Sequence, residues 1–371
     1  PFFTDRILSN YLHRMILTEA GTVEKTRNSI AMYLVLLLTL AGACEMLIAQ
    51  TAQSTLDTTR YFSFHNNYWI NLHHFLYEKA SGDQLAKLKQ DGNEMLVIGE
   101  TTVEKSLTPE QRSNLDGAIE YYKENIIQKG LLRGLGYERY WLQRQMGGKA
   151  LADSTVSQEF VDVLNRVSNT YGETYWPIHK KHNEAILEFQ IPNISKLEKR
   201  IIPRMEQLSL TPWPSGGKVR VDLTVYANYA GAYTPTRPIF NVIVSTIDPS
   251  SYGPEFLETI FHEGSHLLFR YGGTWRERIF ENFEQEAYSI NFPRHLWHAS
   301  LFYLCGQVCK DEFSGVGITN YEMTMKTRNI FRKYHNDAFY AVLDNYLEHK
   351  CTFQETVSAL LEVTNKLPKV N

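Results

Sequence analysis

Between long stretches of helical periodicity lie two strand patterns separated by turn residues, and this arrangement most limits what the chain can fold into. Residues 219–226 alternate Val219, Val221, Leu223 and Val225 against Arg220, Asp222 and Thr224, a period-2 pattern. Residues 238–245, Pro-Ile-Phe-Asn-Val-Ile-Val-Ser, form a second β-branched run. A turn cluster at residues 211–217 precedes the first, and Ile247-Asp-Pro-Ser-Ser-Tyr-Gly-Pro254 follows the second. Helical patterns cover residues 60–80, a segment capped by Thr108 with Pro109 at its first position, residues 157–208, and most of the chain after Pro254. Interruptions are expected at Trp176-Pro177 and Ile191-Pro192. The expected class is therefore α+β, mainly helical, with a small sheet. Residues 53–210 are expected to form a helical N-terminal portion and residues 211–371 a second portion, the one that carries the motif described below.

Residues 32–43 read Met-Tyr-Leu-Val-Leu-Leu-Leu-Thr-Leu-Ala-Gly-Ala, with Lys25 and Arg27 upstream and small residues downstream. That order matches a secretory signal peptide, and it is too short for a span, which needs roughly 20 apolar residues. Leu40-Ala-Gly-Ala-Cys44 approaches a lipobox, so Cys44 is a candidate lipidated residue giving membrane attachment. Residues 1–52 are thus expected to be leader and signal. The protein would be exported, as a periplasmic, outer-membrane or extracellular species. Cys305 and Cys309, four apart on a helix, make poor disulfide geometry and read as small buried hydrophobes. A formal charge of −3 with no basic tract argues against a nucleic-acid partner.

The helix from Pro254 carries His262-Glu263-Gly264-Ser265-His266. Two His at i and i+4 lie one turn apart on one face, so both imidazoles can meet one cation, here Zn2+. Glu263, beside the first, can deprotonate water held on the metal. Phe261, Leu267, Leu268 and Phe269 flank the motif and bury the helix, and an unsatisfied polar cluster would be costly there.

On these residues the chain resembles the zincin superfamily of zinc metallopeptidases, over about residues 219–310. The resemblance implies a zincin-like unit in which an edge strand of the sheet aligns extended peptide beside the metal. Residues 239–245 occupy that place, so Asn241 and Ile243 would meet a peptide or protein substrate. A third ligand is required. No His follows His266 until His295, unlike the metzincins. A gluzincin-like arrangement would use Glu286, on the apolar face of Trp275, Ile279, Phe283 and Ala287. The rival is His298, which shares a face with Leu301, Phe302 and Cys305. Its segment, Pro293-x-x-Leu-Trp-His-Ala-x-x-Phe-Tyr303, is similar to one in a family of bacterial exported proteins. Both ligands stay open, with His298 preferred.

An oxyanion donor could come from Tyr226, Tyr229, Tyr233 or Tyr303. Asn228, Thr234 and Arg237 read as loop residues near the cleft. Asn71, His73 and His74 could approach it from the helical half. A surface position is favoured for these and for His179 and His182. The functional expectation is a zinc-dependent hydrolase, first a metallopeptidase. The alternatives are an inactive zincin-fold binding protein and a zinc amide hydrolase with a non-peptide substrate.

Overall fold

In a computed structural model, residues 55–90, 92, 98–152, 155–270, 275–285 and 293–366 are described. The signal segment and Cys44 lie outside them. The fold is mainly helical with a small mixed sheet.

The sheet takes strands from both halves of the chain: β1 (Thr55–Thr58), β2 (Phe62–His65), β3 (Val219–Thr224), β4 (Ala232–Tyr233) and β5 (Asn241–Ser245). Their order is β1-β2-β3-β5-β4. β2, β3 and β5 run parallel, and β1 and β4 pair antiparallel on the outside. This corrects the expected edge strand. β5 sits between β3 and β4, with Asn241 opposite Arg220 and Ile243 bridging Asp222 and Tyr233. Both residues are buried on a central strand, and the outer strand on this side is β4. The first expected helix is also corrected. Residues 62–65 read Phe-Ser-Phe-His, and that alternation makes a strand before the helix α1 (Tyr68–Ser81) begins at the Asn67 cap.

Helices cover both faces of the sheet, which explains why its central strands carry few exposed positions. On one face Val219, Val221, Leu223, Val242 and Val244 join a core with Ile260, Phe261 and Leu301. On the other, Val225, Tyr233 and Ile243 join Trp69, Leu72 and Tyr122. After α2 (Asp83–Gln90) and α3 (Glu100–Ser106), α4 (Pro109–Asn125) starts with the expected Thr108 cap and closes a capping box with Gln111. α5 (Gly136–Leu142) and α6 (Gln158–Thr174) lead to α7 (Trp176–Ser209), which breaks the expectation at Ile191-Pro192 by running straight through Pro192 and Pro203. Both prolines are exposed, so the carbonyls they free meet water. Ile186, Leu187, Ile194, Leu197, Ile201, Ile202 and Met205 are buried along the other side. Seven such side chains at roughly 1.5–3 kcal/mol each outweigh two proline penalties of about 3 kcal/mol.

α8 (Pro254–Arg270) packs against α7 and α10 (Leu296–Ser314), and α9 (Trp275–Gln285) lies between them in sequence. A Cβ on Gly264 would come within 2.8 Å of the Phe62 ring, so this glycine lets α8 lie directly on β2. The short α11 (Thr324–Thr327) is pinned to α8 by Glu258, whose carboxylate accepts from the Tyr321 hydroxyl and, at 3.1 and 3.2 Å, from the Thr324 amide. α12 (Asp337–Leu347) and α13 (Phe353–Asn365) complete the core. Cys305 and Cys309 are buried and free, and Cys351 is free and half-buried. Among the described residues no helix is long and apolar enough to cross a membrane.

Burial pushes the Glu258 carboxyl up to about 7, against the opposing pull of the Tyr321 and Thr324 hydrogen bonds. A raised folded-state value stabilises the protonated fold. That contribution is complete below the unfolded value of 4.5 and is lost as pH rises through about 7. Glu258→Gln keeps an acceptor for Tyr321 and Thr324 but cannot ionise. It is expected to match wild type near pH 4.5 and to exceed it by about 1–2 kcal/mol at pH 8 in urea unfolding, out of a limit of roughly 3 kcal/mol. Equal stability at pH 8 would show that the carboxylate is better solvated than its burial implies.

Candidate metal centre

α8 carries His262, Glu263 and His266 beneath the sheet, because Ile260, Phe261, Leu268 and Phe269 fill the core on either side of the motif. His298 comes from the first turn of α10, packed alongside. The Nε2 atoms of His262 and His298 stand 3.2 Å apart. One ligand nitrogen from each of His262, His266 and His298 lies within 4.8 Å of the other two. Two nitrogens bound at about 2.0–2.1 Å to one tetrahedral zinc are separated by roughly 3.3 Å, so the His262–His298 spacing already suits a shared ion. Among the described residues no other three His, Cys, Asp or Glu side chains converge this way. Glu286, the other expected ligand, lies outside the described residues.

The surroundings favour a neutral imidazole at His262, the form that binds metal. His262 is 2% exposed, its ring centroid 3.7 Å from that of Phe302. Trp297 stacks on His298 at 4.9 Å, and Phe331 meets it edge-on at 5.0 Å. Burial, and then the neighbouring His298, hold His262 well below the ordinary imidazole value. Nδ1 of His262 is buried without a hydrogen-bond partner, so this ring lacks the outer acceptor that commonly orients a metal-binding imidazole.

Glu263 is buried beside the trio, one carboxylate oxygen 3.7 Å from His266 Nε2. That same oxygen takes a short hydrogen bond from the Thr234 hydroxyl, which also lies 3.1 Å from the Glu263 carbonyl oxygen. Burial raises the Glu263 carboxyl to about 7, with Thr234 opposing. A dication alongside would draw it down again. Thr234 therefore fixes the rotamer of the acid, a role its reading as a plain loop residue missed. The available signal was its place directly after Tyr233: adjacent extended residues face opposite sides, so one faces α8 and the other α1.

Tyr233 accordingly points away from the trio. Nδ1 of His74 lies 2.8 Å from the Ile70 carbonyl, to which it donates, leaving Nε2 to accept from the Tyr233 hydroxyl at 2.8 Å. Tyr303 is turned toward α12, donating to Asp344 at 2.7 Å and stacking on Tyr340. The Tyr226 hydroxyl donates to Glu100 at 2.9 Å, and Tyr229 is exposed. Neither Tyr233 nor Tyr303 fits the oxyanion role, since each spends its proton on another side chain. Asn228 closes its own turn on the Ala230 amide, and Arg237 is exposed.

The histidines expected at the surface are mostly interior. His73 and His74 are fully buried, His73 against the Tyr122 hydroxyl at 2.8 Å. His179 bridges the Tyr171 hydroxyl and Glu100, at 3.0 and 2.8 Å. His182 is half-buried and reaches the Thr246 carbonyl. Asn71 donates to the Leu223 carbonyl at 3.0 Å, tying α1 to β3. Each sits on a helix face too polar to read as core, yet each has a partner, which removes the cost of burial.

No family model, curated protein or solved structure matches the chain. The functional reading therefore rests on the side chains themselves.

Proposed function

We propose that the chain is a zinc-dependent hydrolase of the zincin type and that its substrate is a peptide. The observation carrying this reading is the convergence of His262, His266 and His298 with Glu263 beside them. Three imidazoles leave one position of a tetrahedral ion open, which is the pattern of a catalytic site; structural sites close all four. Bound there, zinc supplies a Lewis acid that acidifies water and polarises a carbonyl.

The chain's own residues then divide the work. Glu263 takes the proton from the attacking water and returns it to the departing amine nitrogen. Thr234 keeps that carboxylate in place through its hydroxyl. Trp297, Phe302 and Phe331 keep bulk water from the imidazoles, strengthening electrostatic interactions among them. β4, the sheet's outer strand on this side, is the backbone to which an extended substrate adds. With the leader-like N-terminal sequence, this hydrolase would act outside the cytoplasm.

The test is turnover of a quenched-fluorescence peptide library by the purified protein. Cleavage should stop with a chelator and return with one equivalent of zinc. Tight zinc binding with no cleavage of any peptide would contradict the peptidase reading and point to the binding-protein alternative.

A further inference from the structure

Beyond the general base, the same face of α8 borders a small open recess of about 40 Å³, room for a group the size of a carboxylate and not for a whole side chain. Thr259 lines it, four residues before Glu263 and seven before His266, on one helix face. Ala232 lines it from β4, two residues before Thr234. Four residues of helix advance about 6 Å and two of strand about 7 Å, so both elements place the recess one helical turn from Glu263. Two charged groups line it, Asp248 and Arg328, the latter just after α11, and they pair with each other at 2.8 Å.

Arg328 has donors to spare. Its Nη2 donates to Asp248 Oδ2 at 2.8 Å and Ser250 Oγ at 2.9 Å, and among the described residues no partner engages Nε or Nη1. Asp248 is more fully used, its Oδ1 accepting from the Ser250 amide at 2.9 Å. The arginine side chain is 28% exposed, the aspartate 11%. The recess thus presents a fork of unused N–H groups whose charge is balanced but whose hydrogen-bonding capacity is not, a match for a carboxylate.

Strand polarity says which carboxylate. β4 runs from Ala232 toward Thr234, so a peptide added antiparallel runs from Thr234 toward Ala232. Its residues beyond the scissile bond then run toward the recess, where a terminal carboxylate would fit. At about 3.4 Å per residue, the second of them reaches it. Resting on the hydrolase reading, we propose that Arg328 binds the C-terminal carboxylate of the substrate. The enzyme then removes one or two residues from peptide C-termini, water adding across the C–N bond and its proton passing to the released amine.

The test measures binding of an N-acetylated, fluorophore-labelled tetrapeptide to full-length Glu263→Gln protein, with zinc and after chelation. Three forms are compared: the free acid, the C-terminal amide, and an amide bearing Glu at its last position. The acid should bind at least about tenfold tighter than the plain amide, with or without zinc. Arg328→Gln should reduce this preference below about twofold. Arg328→Lys, which keeps the charge beside Asp248 and so protects the fold, should cut it at least about threefold. Equal binding of acid and amide, or a preference that both variants leave unchanged, overturns the proposal. So does an acidic-side-chain amide that binds like the acid, since the anion is then a side chain. The two readings fail separately: acid-selective binding without turnover by wild type sinks the hydrolase alone, and equal turnover of acid and amide sinks the subsite alone.

Discussion

His298→Ala is expected to weaken zinc binding by at least about 100-fold, more than outer-sphere substitutions usually cost a metal site. The basis is the 3.2 Å approach of its Nε2 to that of His262. With two imidazoles left, the ion keeps the His262–His266 pair of one helix but loses the nitrogen that clamps α8 to α10. A 100-fold loss lowers the stability gained from zinc by about 2.7 kcal/mol when the metal is in large excess over both dissociation constants. For a chain of this size that corresponds to a fall in Tm of roughly 3–5 °C in zinc. Without metal, the two proteins should melt within a few degrees of each other. Competition against a chromophoric chelator gives the affinities and scanning calorimetry the melting points. If His298→Ala holds zinc as tightly as wild type and Glu286→Ala does not, the third ligand is the glutamate and the site described is incomplete.

Glu263→Gln separates chemistry from metal binding. The amide is isosteric, keeps an oxygen for the Thr234 hydroxyl, and leaves all three imidazoles in place. It cannot accept a proton. A positioned general base contributes about 10²- to 10⁴-fold, so kcat should fall by that factor while zinc content stays at one per chain. KM should change little, because the proposed substrate contacts along β4 and at Arg328 do not involve the carboxylate. Steady-state kinetics beside metal analysis checks both halves. A variant retaining more than about a tenth of wild-type kcat would remove Glu263 from the base role.

Much of the centre was legible in the sequence because its geometry is local. His262 and His266 at i, i+4 must share a helix face, and the apolar residues beside them must bury it. His298 was readable for a related reason: a histidine amid Leu301, Phe302 and Cys305 needs a partner. What remained hidden depends on distant pairings. β4 is only two residues long and carries no periodic signal, whereas β5 has the stronger pattern and so reads as the edge. β2 is a four-residue strand directly before a helix, and its Phe-Ser-Phe alternation merged with the aromatic run of α1. The prolines of α7 read as breaks, since local propensity says nothing of the core it covers. Thr234, Tyr233 and Tyr303 depended on which side of β4 or α10 each faces, and therefore on what packs there.

The most direct test of the central claim is zinc K-edge X-ray absorption on purified protein reconstituted with one equivalent of metal. The account predicts a four-coordinate ion with light-atom ligands near 2.0–2.1 Å, the outer-shell scattering of three imidazoles, and its reduction to two in His298→Ala. A shell containing sulfur, or three imidazoles persisting in that variant, would contradict it.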